Sequence, residues 1–159
     1  MKIIVGVADM KISDREDDVL ITYALGSCLG IAIYDPVARI GGLLHVMLPL
    51  STIDSAKAAE NPFMFVDTGV PRLFIECYKA GARKERLQVK VAGGAHSKTE
   101  GEDYFQIGRR NFIMLRKLLW KNGILLSSYD VGGNLSRTMA LEIGTGRVIV
   151  KANGISKIL

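Results

Sequence analysis

Two short apolar segments separated by a polar turn constrain the fold of this chain more than any other feature. Residues 29–34 and 39–44 are rich in Leu, Ile, Ala and Gly, and Asp35 and Pro36 stand between them. Asp is typical of the first position of a type I turn, and Pro has the backbone φ angle that the second position requires. The pattern therefore predicts two antiparallel strands joined as a β-hairpin.

The length of the hairpin loop decides which side chains face each other. If residues 35–38 form the loop, Tyr34 pairs with Arg39, and the same register places Cys28 directly opposite His45. Such cross-strand partners have Cβ atoms about 4.5 to 5.5 Å apart, close enough for a thiol and an imidazole to interact. A one-residue change in loop length would put the two side chains on opposite faces of the sheet.

The two faces of the predicted hairpin differ in bulk. One face carries large aliphatic side chains and is expected to pack on the core. The other face carries Cys28 together with Gly30, Ala32 and Gly41. Because glycine within a strand often marks a close approach of another group, we expect room for a substrate beside Cys28.

The residues around Cys28 suggest thiol chemistry. Cys28, His45 and a hydroxyl upstream of the cysteine supply a nucleophile, a general base and a group that orients the base. An adjacent histidine would lower the pKa of the thiol well below its ordinary value of about 8.5. Residues 26–30 also have the glycine spacing of a nucleophile elbow, but an elbow requires a helix after the nucleophile, and a strand is predicted here. The sequence therefore argues against an α/β-hydrolase.

The chain has one further cysteine and one further histidine. Cys77 falls on the apolar stripe of a predicted helix, which favours a buried, inert thiol. His96 is an alternative base, but it lies in a polar loop with no predicted register to Cys28. A solvent-exposed loop histidine is therefore the favoured interpretation.

Composition limits the class of protein. The 159 residues, 48% hydrophobic and 23% charged, predict one globular domain spanning residues 1–159. No apolar run suits a signal segment or a membrane span, so we expect a cytoplasmic protein without membrane insertion. The net charge of +5 comes from scattered basic residues without interleaved aromatic residues, which argues against nucleic acid as a partner. With no phosphate loop and no zinc-like Cys/His spacing, no cofactor and no metal are predicted.

Two helices are predicted between strands. The first is capped by Asp67 or Thr68 and ends at a glycine; the second starts near residue 107, and Ile113 and Trp120 widen its apolar stripe. This order of elements predicts an α/β protein, a single layered domain with a mixed β-sheet, two main helices and a catalytic β-hairpin.

Five short motifs, in order along most of the chain, resemble the signature motifs of the CheD family, the chemoreceptor glutamine deamidases. The motifs are Thr22 with Gly26-Ser27-Cys28, Gly42-Leu43-Leu44-His45-Val46-Met47-Leu48-Pro49, Val91-Ala92-Gly93-Gly94-Ala95, Ile107-Gly108-Arg109-Arg110-Asn111 and Asp130-Val131-Gly132-Gly133-Asn134.

The resemblance implies a Cys-His-Thr triad, with Cys28 as nucleophile, His45 as base and acid, and Thr22 as the group that orients the histidine. It implies deamidation of glutamine side chains in the cytoplasmic domain of methyl-accepting chemotaxis receptors, and it leaves open a methylesterase activity. It also implies a CheC-type phosphatase as a regulatory partner. The expected lining of the substrate site is Gly26, Ser27, Gly30, Gly93 and Gly94.

The sequence departs from the family pattern between residues 95 and 106, where an acidic insert containing a histidine replaces a shorter link. This departure bears on partner binding more than on chemistry. Two other functions fit the same residues: a non-catalytic binding module that regulates a CheC-type phosphatase or a receptor, and a thiol peptidase. The products distinguish deamidation from peptide cleavage, since deamidation releases ammonia and leaves the chain intact.

Overall fold

The computed structural model describes residues 1–96 and 106–159, and within these ranges ten strands form two five-stranded sheets. The strands are β1 (Lys2–Ile4), β2 (Asp9–Ser13), β3 (Val19–Leu25), β4 (Leu29–Asp35), β5 (Ile40–Val46), β6 (Gln88–Gly93), β7 (Ser128–Val131), β8 (Arg137–Glu142), β9 (Val148–Ala152) and β10 (Ile155–Ile158). The α-helices are α1 (Ser55–Glu60), α2 (Val66–Ala80) and α3 (Ile107–Lys121). Among the residues that the structure describes, no helix combines the length and the apolar character needed to cross a membrane.

Each sheet is mixed. The first sheet has the strand order β1-β3-β8-β9-β10, and the second has the order β2-β5-β4-β6-β7. In each sheet one outer pair is parallel, β1 with β3 and β6 with β7, and the other pairs are antiparallel. The predicted α/β class is thus confirmed, with two mixed sheets where the sequence suggested one.

The second sheet lies between the helices and the first sheet. On one face its strands pack against α2 and α3 in a large aliphatic cluster, and on the other face they pack against β3, β8 and β9. Every residue of β4 and β5 is buried as a result. The predicted hairpin is therefore the central element of the fold.

The small residues of the hairpin let the two sheets come close together. A Cβ atom on Gly30 would lie 2.7 Å from the sulfur of Met139 and 3.0 Å from a methyl group of Leu25. A Cβ atom on Gly41 would lie 2.9 Å from methyl groups of Ile143 and Leu141. The expectation of open space for a substrate beside these glycines is wrong, because side chains of the first sheet fill that space.

The register of the hairpin differs from the predicted one by two positions. The loop is residues 36–39, so Asp35 pairs with Ile40 and Gly30, rather than Cys28, lies opposite His45. The turn extends by one residue because Arg39 adopts a left-handed conformation, with a φ of 54°, and its N–H donates to the carbonyl of Asp35 at 2.8 Å. The Oδ1 of Asp35 accepts hydrogen bonds from the backbone N–H groups of residues 37 and 38 at 2.9 and 3.0 Å. A shift of two positions leaves each side chain on its predicted face.

The first long helix begins earlier than predicted. α2 starts at Val66 without a side-chain cap, and the carbonyl of Leu48 accepts a hydrogen bond from its first N–H at 2.9 Å. The carboxylate of Asp67 instead accepts two hydrogen bonds from Ser51, both of 2.8 Å. The hydroxyl of Thr68 donates to a preceding backbone carbonyl. Both proposed caps therefore hold the preceding loop.

The second long helix follows the prediction at its start, but part of its apolar stripe was assigned wrongly. α3 begins at Ile107, and Leu115 and Leu119 face the core. Trp120 is 85% exposed and Ile113 is 47% exposed. The core stripe of α3 is therefore narrower than the sequence suggested.

Candidate active site

Thr22 and His45 come from different sheets and meet in the space between them. Thr22 lies on β3 in the first sheet, His45 lies on β5 in the second, and both side chains are buried. The distance between Thr22 Oγ1 and His45 Nδ1 is 2.7 Å, a short hydrogen bond. The residue expected to orient the histidine is thus in direct contact with it.

The hydrogen bonds of Thr22 determine which nitrogen of His45 carries the proton. The Thr22 hydroxyl donates its single proton to the carbonyl oxygen of Val5 at 2.8 Å. It can then only accept from His45, so Nδ1 must carry the hydrogen. In the neutral ring Nε2 is left with a free lone pair, and this buried atom has no hydrogen-bond partner among the described residues. The imidazole is therefore oriented as a base at Nε2.

Cys28 lies in a bend that carries the chain from the first sheet to the second. The bend spans residues 26–28, between β3 and β4, and the Cys28 side chain is half-buried against the cluster between the sheets. Leu29 pairs with Val46 and Gly30 pairs with His45, so Cys28 precedes the histidine's partner by two residues. Side chains two residues apart in an extended chain point to the same face of a sheet. This spacing agrees with a Cys28 thiol on the same side of the sheet as the His45 imidazole.

All three carbonyl groups of this bend accept hydrogen bonds, two from the segment that follows β6 and one from α3. The backbone N–H of Ala95 donates to Gly26 O at 2.8 Å, and that of Gly94 donates to Cys28 O at 2.8 Å. Between them, the side-chain Nδ2 of Asn111 donates to Ser27 O at 3.0 Å. The bend is thereby fixed against β6 and α3.

Gly93 and Gly94 support the bend through their backbones. Gly93 is the last residue of β6 and has a φ of 111°, and a Cβ atom there would overlap the carbonyl oxygen of Cys28. Gly94, with a φ of 60°, donates its N–H to that same oxygen. Both residues are buried, and both contact the carbonyl side of Cys28. Of the other expected lining residues, Ser27 is exposed, Gly26 is half-buried and Gly30 is buried beneath the first sheet.

The N–H groups of Ser27 and Cys28 point away from the donors that hold the bend. The peptide bonds of the bend are trans, so each N–H is directed opposite to the carbonyl of the preceding residue. The Ser27 N–H is therefore directed away from Ala95, and the Cys28 N–H away from Asn111. The Cys28 N–H also stabilises the Cys28 thiolate. The bend therefore offers two adjacent donors near the sulfur.

Burial keeps both reactive groups neutral. It raises the pKa of the Cys28 thiol, an effect that the hydrogen bond from the residue's own N–H only partly offsets. It also lowers the pKa of the His45 imidazole. Each shift arises because a buried site disfavours the charged form of the group. The direction for Cys28 is opposite to the sequence-based expectation, and the resting pair is a thiol and a neutral imidazole.

Asn111 is part of this site, although its role was not recognised in the sequence. Its side chain is fully buried on α3, and Nδ2 donates to both Ser27 O and Met47 O at 3.0 Å. A signal was available, because Asn111 occupies the buried stripe of the helix together with Leu115 and Leu119. A polar side chain on such a stripe must find partners in the interior.

The motif at residues 130–134 supports the site from the far side of β6. Arg137 forms an ion pair with Asp130 at 3.2 Å and donates hydrogen bonds to the carbonyls of Gly132 at 2.7 Å and Gly93 at 3.2 Å. Arg137 is itself buried. These contacts fix the end of β6, from which Gly93 and Gly94 hold the bend.

The other cysteine and histidine lie where the sequence predicted them. Cys77 is buried against the second sheet, and burial, with a contribution from the charge of Glu76, raises its pKa to about 12. His96 is exposed, and its backbone N–H donates to the carbonyl of Gly133 at 2.8 Å. The predicted burial of the Cys77 thiol and the predicted exposure of His96 in a loop are thus confirmed. The insert expected between residues 95 and 106 falls mostly on residues 97–105, outside the described part of the chain.

A solved structure resembles this fold. The crystal structure of Bacillus licheniformis hypothetical protein YfiH matches with a TM-score of 0.50 and 14% sequence identity, and the match covers 77% of this chain and 49% of that one. At this identity the likeness concerns the fold alone.

Sequence comparison identifies the family. The family model described as CheD chemotactic sensory transduction matches residues 47–152. The chain is 51% identical over 152 residues to the probable chemoreceptor glutamine deamidase CheD 1 of Syntrophus aciditrophicus, covering 96% of this chain and 94% of that protein. It is 54% identical over 156 residues to the probable chemoreceptor glutamine deamidase CheD of Solibacter usitatus, covering 98% and 92%. This chain belongs to the CheD family.

Proposed function

We propose that this protein hydrolyses the carboxamide of glutamine side chains in the cytoplasmic domain of chemoreceptors, which leaves glutamate and releases ammonia. In this proposal Cys28 is the nucleophile, His45 is the general base and acid, and Thr22 orients His45. The names of the similar relatives support the substrate. The observation that carries the chemistry is the 2.7 Å contact between Thr22 and His45, which leaves Nε2 of the imidazole with a free lone pair to act as the base.

The first step is attack by sulfur on the carboxamide carbon. Because burial disfavours a free thiolate at Cys28, the proton passes to His45 Nε2 as the sulfur–carbon bond forms. The imidazolium that results is stabilised at Nδ1, whose hydrogen is already donated to Thr22 Oγ1. The hydrogen bond to Thr22 therefore strengthens as positive charge develops on the ring. An interaction that is stronger in the transition state than in the ground state accelerates the reaction.

The carbonyl oxygen of the substrate acquires negative charge in this step. The N–H groups of Ser27 and Cys28 are directed away from the donors that hold the bend, and we assign them to this oxyanion. Fixed backbone donors need no reorganisation as the charge develops, and the loss of a single oxyanion donor typically costs about 10²- to 10³-fold in rate.

The second step breaks the carbon–nitrogen bond. His45 returns its proton from Nε2 to the amide nitrogen, which departs as ammonia and leaves a thioester on Cys28. Water then attacks the thioester carbon while Nε2 accepts a proton from it. The tetrahedral intermediate collapses to the glutamate side chain, and the proton goes back to the Cys28 sulfur. One water molecule is consumed for each ammonia released, and the enzyme returns to the neutral pair.

The proposed test uses a purified receptor cytoplasmic domain as substrate. Mass spectrometry of its peptides should show conversion of specific glutamines to glutamate, with matched release of ammonia. Cys28→Ala should abolish the conversion, whereas Cys77→Ala, which alters the buried thiol, is the matched control and should preserve it. Cleavage into fragments would instead indicate a thiol peptidase. No conversion on any cognate receptor would favour the non-catalytic binding module.

A CheC-type phosphatase is proposed as a regulatory partner on the family resemblance. The test is calorimetric titration of this protein with the phosphatase encoded in the same genome. Saturable binding with a change in the deamidation rate would support the partnership. Heat of dilution alone would contradict it.

A further inference from the structure

Asn111 joins two segments that are distant in sequence. Its Nδ2 group donates one hydrogen bond to Ser27 O and one to Met47 O, both at 3.0 Å. A carbonyl oxygen cannot donate, so two carbonyl partners fix the amide with its nitrogen towards them. The side-chain oxygen of Asn111 is buried and has no partner among the described residues. The contribution of the Asn111 side chain is therefore its two N–H donors, which hold two backbone carbonyls.

These two carbonyls lie just beyond the end of the hairpin ladder. The last pair between β4 and β5 is Leu29 with Val46. Ser27 lies just before β4 and Met47 just after β5, so both are outside the paired part of the hairpin. Without ladder hydrogen bonds, the separation of the chains at this end depends on other contacts. Asn111 supplies one hydrogen bond to each chain and closes the open end.

The chemical groups of the proposed reaction lie at this same end. Ser27 immediately precedes Cys28, and Met47 follows His45 by two residues. The carbonyl of Ser27 belongs to the same peptide group as the N–H of Cys28, so the bond from Asn111 also sets the direction of that N–H. Asn111 thus holds the residue before Cys28 and orients one N–H that is assigned to the oxyanion.

The helix that carries Asn111, α3, packs closely against residues 94 and 95, which follow β6 and hold the bend. Gly108, one turn before Asn111, packs so closely that a Cβ atom there would lie 2.5 Å from Ala95 O and 2.6 Å from Gly94 O. Leu115, one turn after it, is buried in the core. The amide is therefore presented from a rigid element, which is what precise positioning of a reactive group requires.

We infer that Asn111 is a positioning residue for the thiol chemistry: it sets the Cys28 segment relative to the end of the His45 strand and orients the Cys28 N–H. The inference rests on the proposed function for the identity of the reaction. The geometric part is independent of it, because the reactivity of the Cys28 thiol can be measured without a receptor.

The test compares Asn111→Ala with Asn122→Ala. Asn122 is the matched control, since it lies at the exposed C-terminal end of the same helix and its Nδ2 donates to Leu118 O within that helix. Deamidation of the receptor domain is measured per mole of folded protein, taken as the fraction of molecules in which the buried Cys77 stays protected from alkylation. We expect kcat to fall about 10²-fold in Asn111→Ala with KM little changed, because a displacement of about 1 Å can have that effect. Asn122→Ala should match the wild type.

A role in stability alone would give a different result. It would lower the melting temperature and the fraction of molecules with a protected Cys77 while leaving kcat per folded molecule unchanged, and that outcome would overturn the inference. If Asn111→Ala does not fold, Asn111→Ser retains one side-chain donor, and the same measurement should give a smaller fall in kcat. Wild-type kcat per folded molecule in the serine variant would also count against the inference.

A second readout separates this inference from the proposed function. The rate of Cys28 alkylation as a function of pH should change in Asn111→Ala and stay unchanged in Asn122→Ala. If the wild type proves inactive on receptors but this difference is seen, the positioning role stands and the proposed function fails. If the wild type deamidates receptors and the two variants share its alkylation profile and kcat, only the inference about Asn111 fails.

Discussion

The hydroxyl of Thr22 and the imidazole of His45 form a hydrogen bond of 2.7 Å between two different β-sheets. A second bond, from the same hydroxyl to the carbonyl of Val5 at 2.8 Å, fixes its direction. Together the two bonds select the tautomer in which Nε2 is the base. The packing of one sheet on the other is therefore directly coupled to the protonation of the proposed catalytic histidine.

Replacing Thr22 with Val should reduce deamidation without abolishing it. The change keeps the shape of the side chain and removes the acceptor for His45 Nδ1, and a hydrogen bond to a charged group contributes about 1.5 to 3 kcal/mol. We therefore expect kcat to fall about 10- to 100-fold. Cys28→Ala and His45→Ala should lower activity to near zero. Thr68→Val is the control, since the Thr68 hydroxyl contacts only the loop before α2, and equal losses in the two valine variants would contradict the role of Thr22.

The two thiols should differ strongly in alkylation. Cys28 is half-buried in the bend, whereas Cys77 is buried and its pKa is raised to about 12. In the native protein iodoacetamide should modify Cys28 and leave Cys77 intact, as peptide mass spectrometry would show. Burial raises the pKa of Cys28. The alkylation rate of Cys28 in the free enzyme should therefore still increase above about pH 8.5, the ordinary pKa of a free thiol. A midpoint well below that value would reveal a thiolate–imidazolium pair instead.

Activity should persist to lower pH than the ordinary histidine value would suggest. The base must be neutral, and burial lowers the pKa of His45 below 6.5. Protonation therefore sets in only below that value, and kcat/KM should fall on the acid side with a midpoint below 6.5. The measurement is ammonia release from the receptor domain between pH 5 and about 8. An acid limb centred above 6.5 would show that the ring is stabilised as a cation in the free enzyme.

Asp35 should be the most sensitive charged position for folding stability. Its buried carboxylate accepts hydrogen bonds from Arg86, from the Arg83 N–H at 2.9 Å and from the two loop N–H groups. Burial alone would raise its pKa, but these bonds dominate and lower it from 3.8 to about 2. Asp35→Ala should reduce the free energy of unfolding by about 3 kcal/mol at pH 7, because it leaves Arg86 and several donors unpaired.

The sign of the pH effect at Asp35 follows from the lowered pKa. Its contribution to stability is complete above the unfolded value near 3.8 and is lost as the pH falls towards about 2. Urea unfolding of the wild type and of Asp35→Ala should therefore converge across this range. Asp14→Ala changes an exposed carboxylate and is the control. A difference between wild type and Asp35→Ala that stays constant down to pH 2 would contradict the assignment.

Local chemistry made part of the structure predictable. The turn residues Asp35 and Pro36 identified the hairpin, and the alternation assigned its faces correctly. The register was wrong by two positions because turn statistics do not show that Arg39 adopts the left-handed conformation that extends the turn. The space beside Gly30 was misjudged, since the sequence alone does not show that Met139 from a second sheet fills it.

Long-range contacts made the rest inaccessible. The Thr22–His45 bond joins two sheets whose packing no local pattern encodes, and only the family resemblance suggested it. Asn111 stands in a motif that carries the resemblance, but its two partners are known only once α3 is placed against the bend. Large apolar residues at helical spacing are usually buried, and this pattern predicts Trp120 in the core. In the structure Trp120 is exposed.

Glutamines on a folded receptor helix should react far faster than the same carboxamide presented otherwise. Cys28 is half-buried at the end of a hairpin whose inner face is filled by the first sheet, so we expect a substrate to approach from the exposed side of the bend, where Ser27 lies. A glutamine side chain projecting from a helix can reach such a point. Free glutamine lacks the remote contacts that would orient it, and orientation accounts for roughly 7 to 11 kcal/mol in favourable cases.

The measurement compares ammonia release from three substrates at matched glutamine concentration: the folded receptor domain, the same domain as an unfolded peptide, and free glutamine. We expect the folded domain to be faster than either of the others by several orders of magnitude, since both lose the pre-oriented carboxamide. Cys28→Ala measured on all three corrects for spontaneous deamidation. Comparable rates for the folded domain and the peptide would mean that the enzyme reads the sequence around the glutamine, and the geometric argument from the buried inner face of the hairpin would then be wrong.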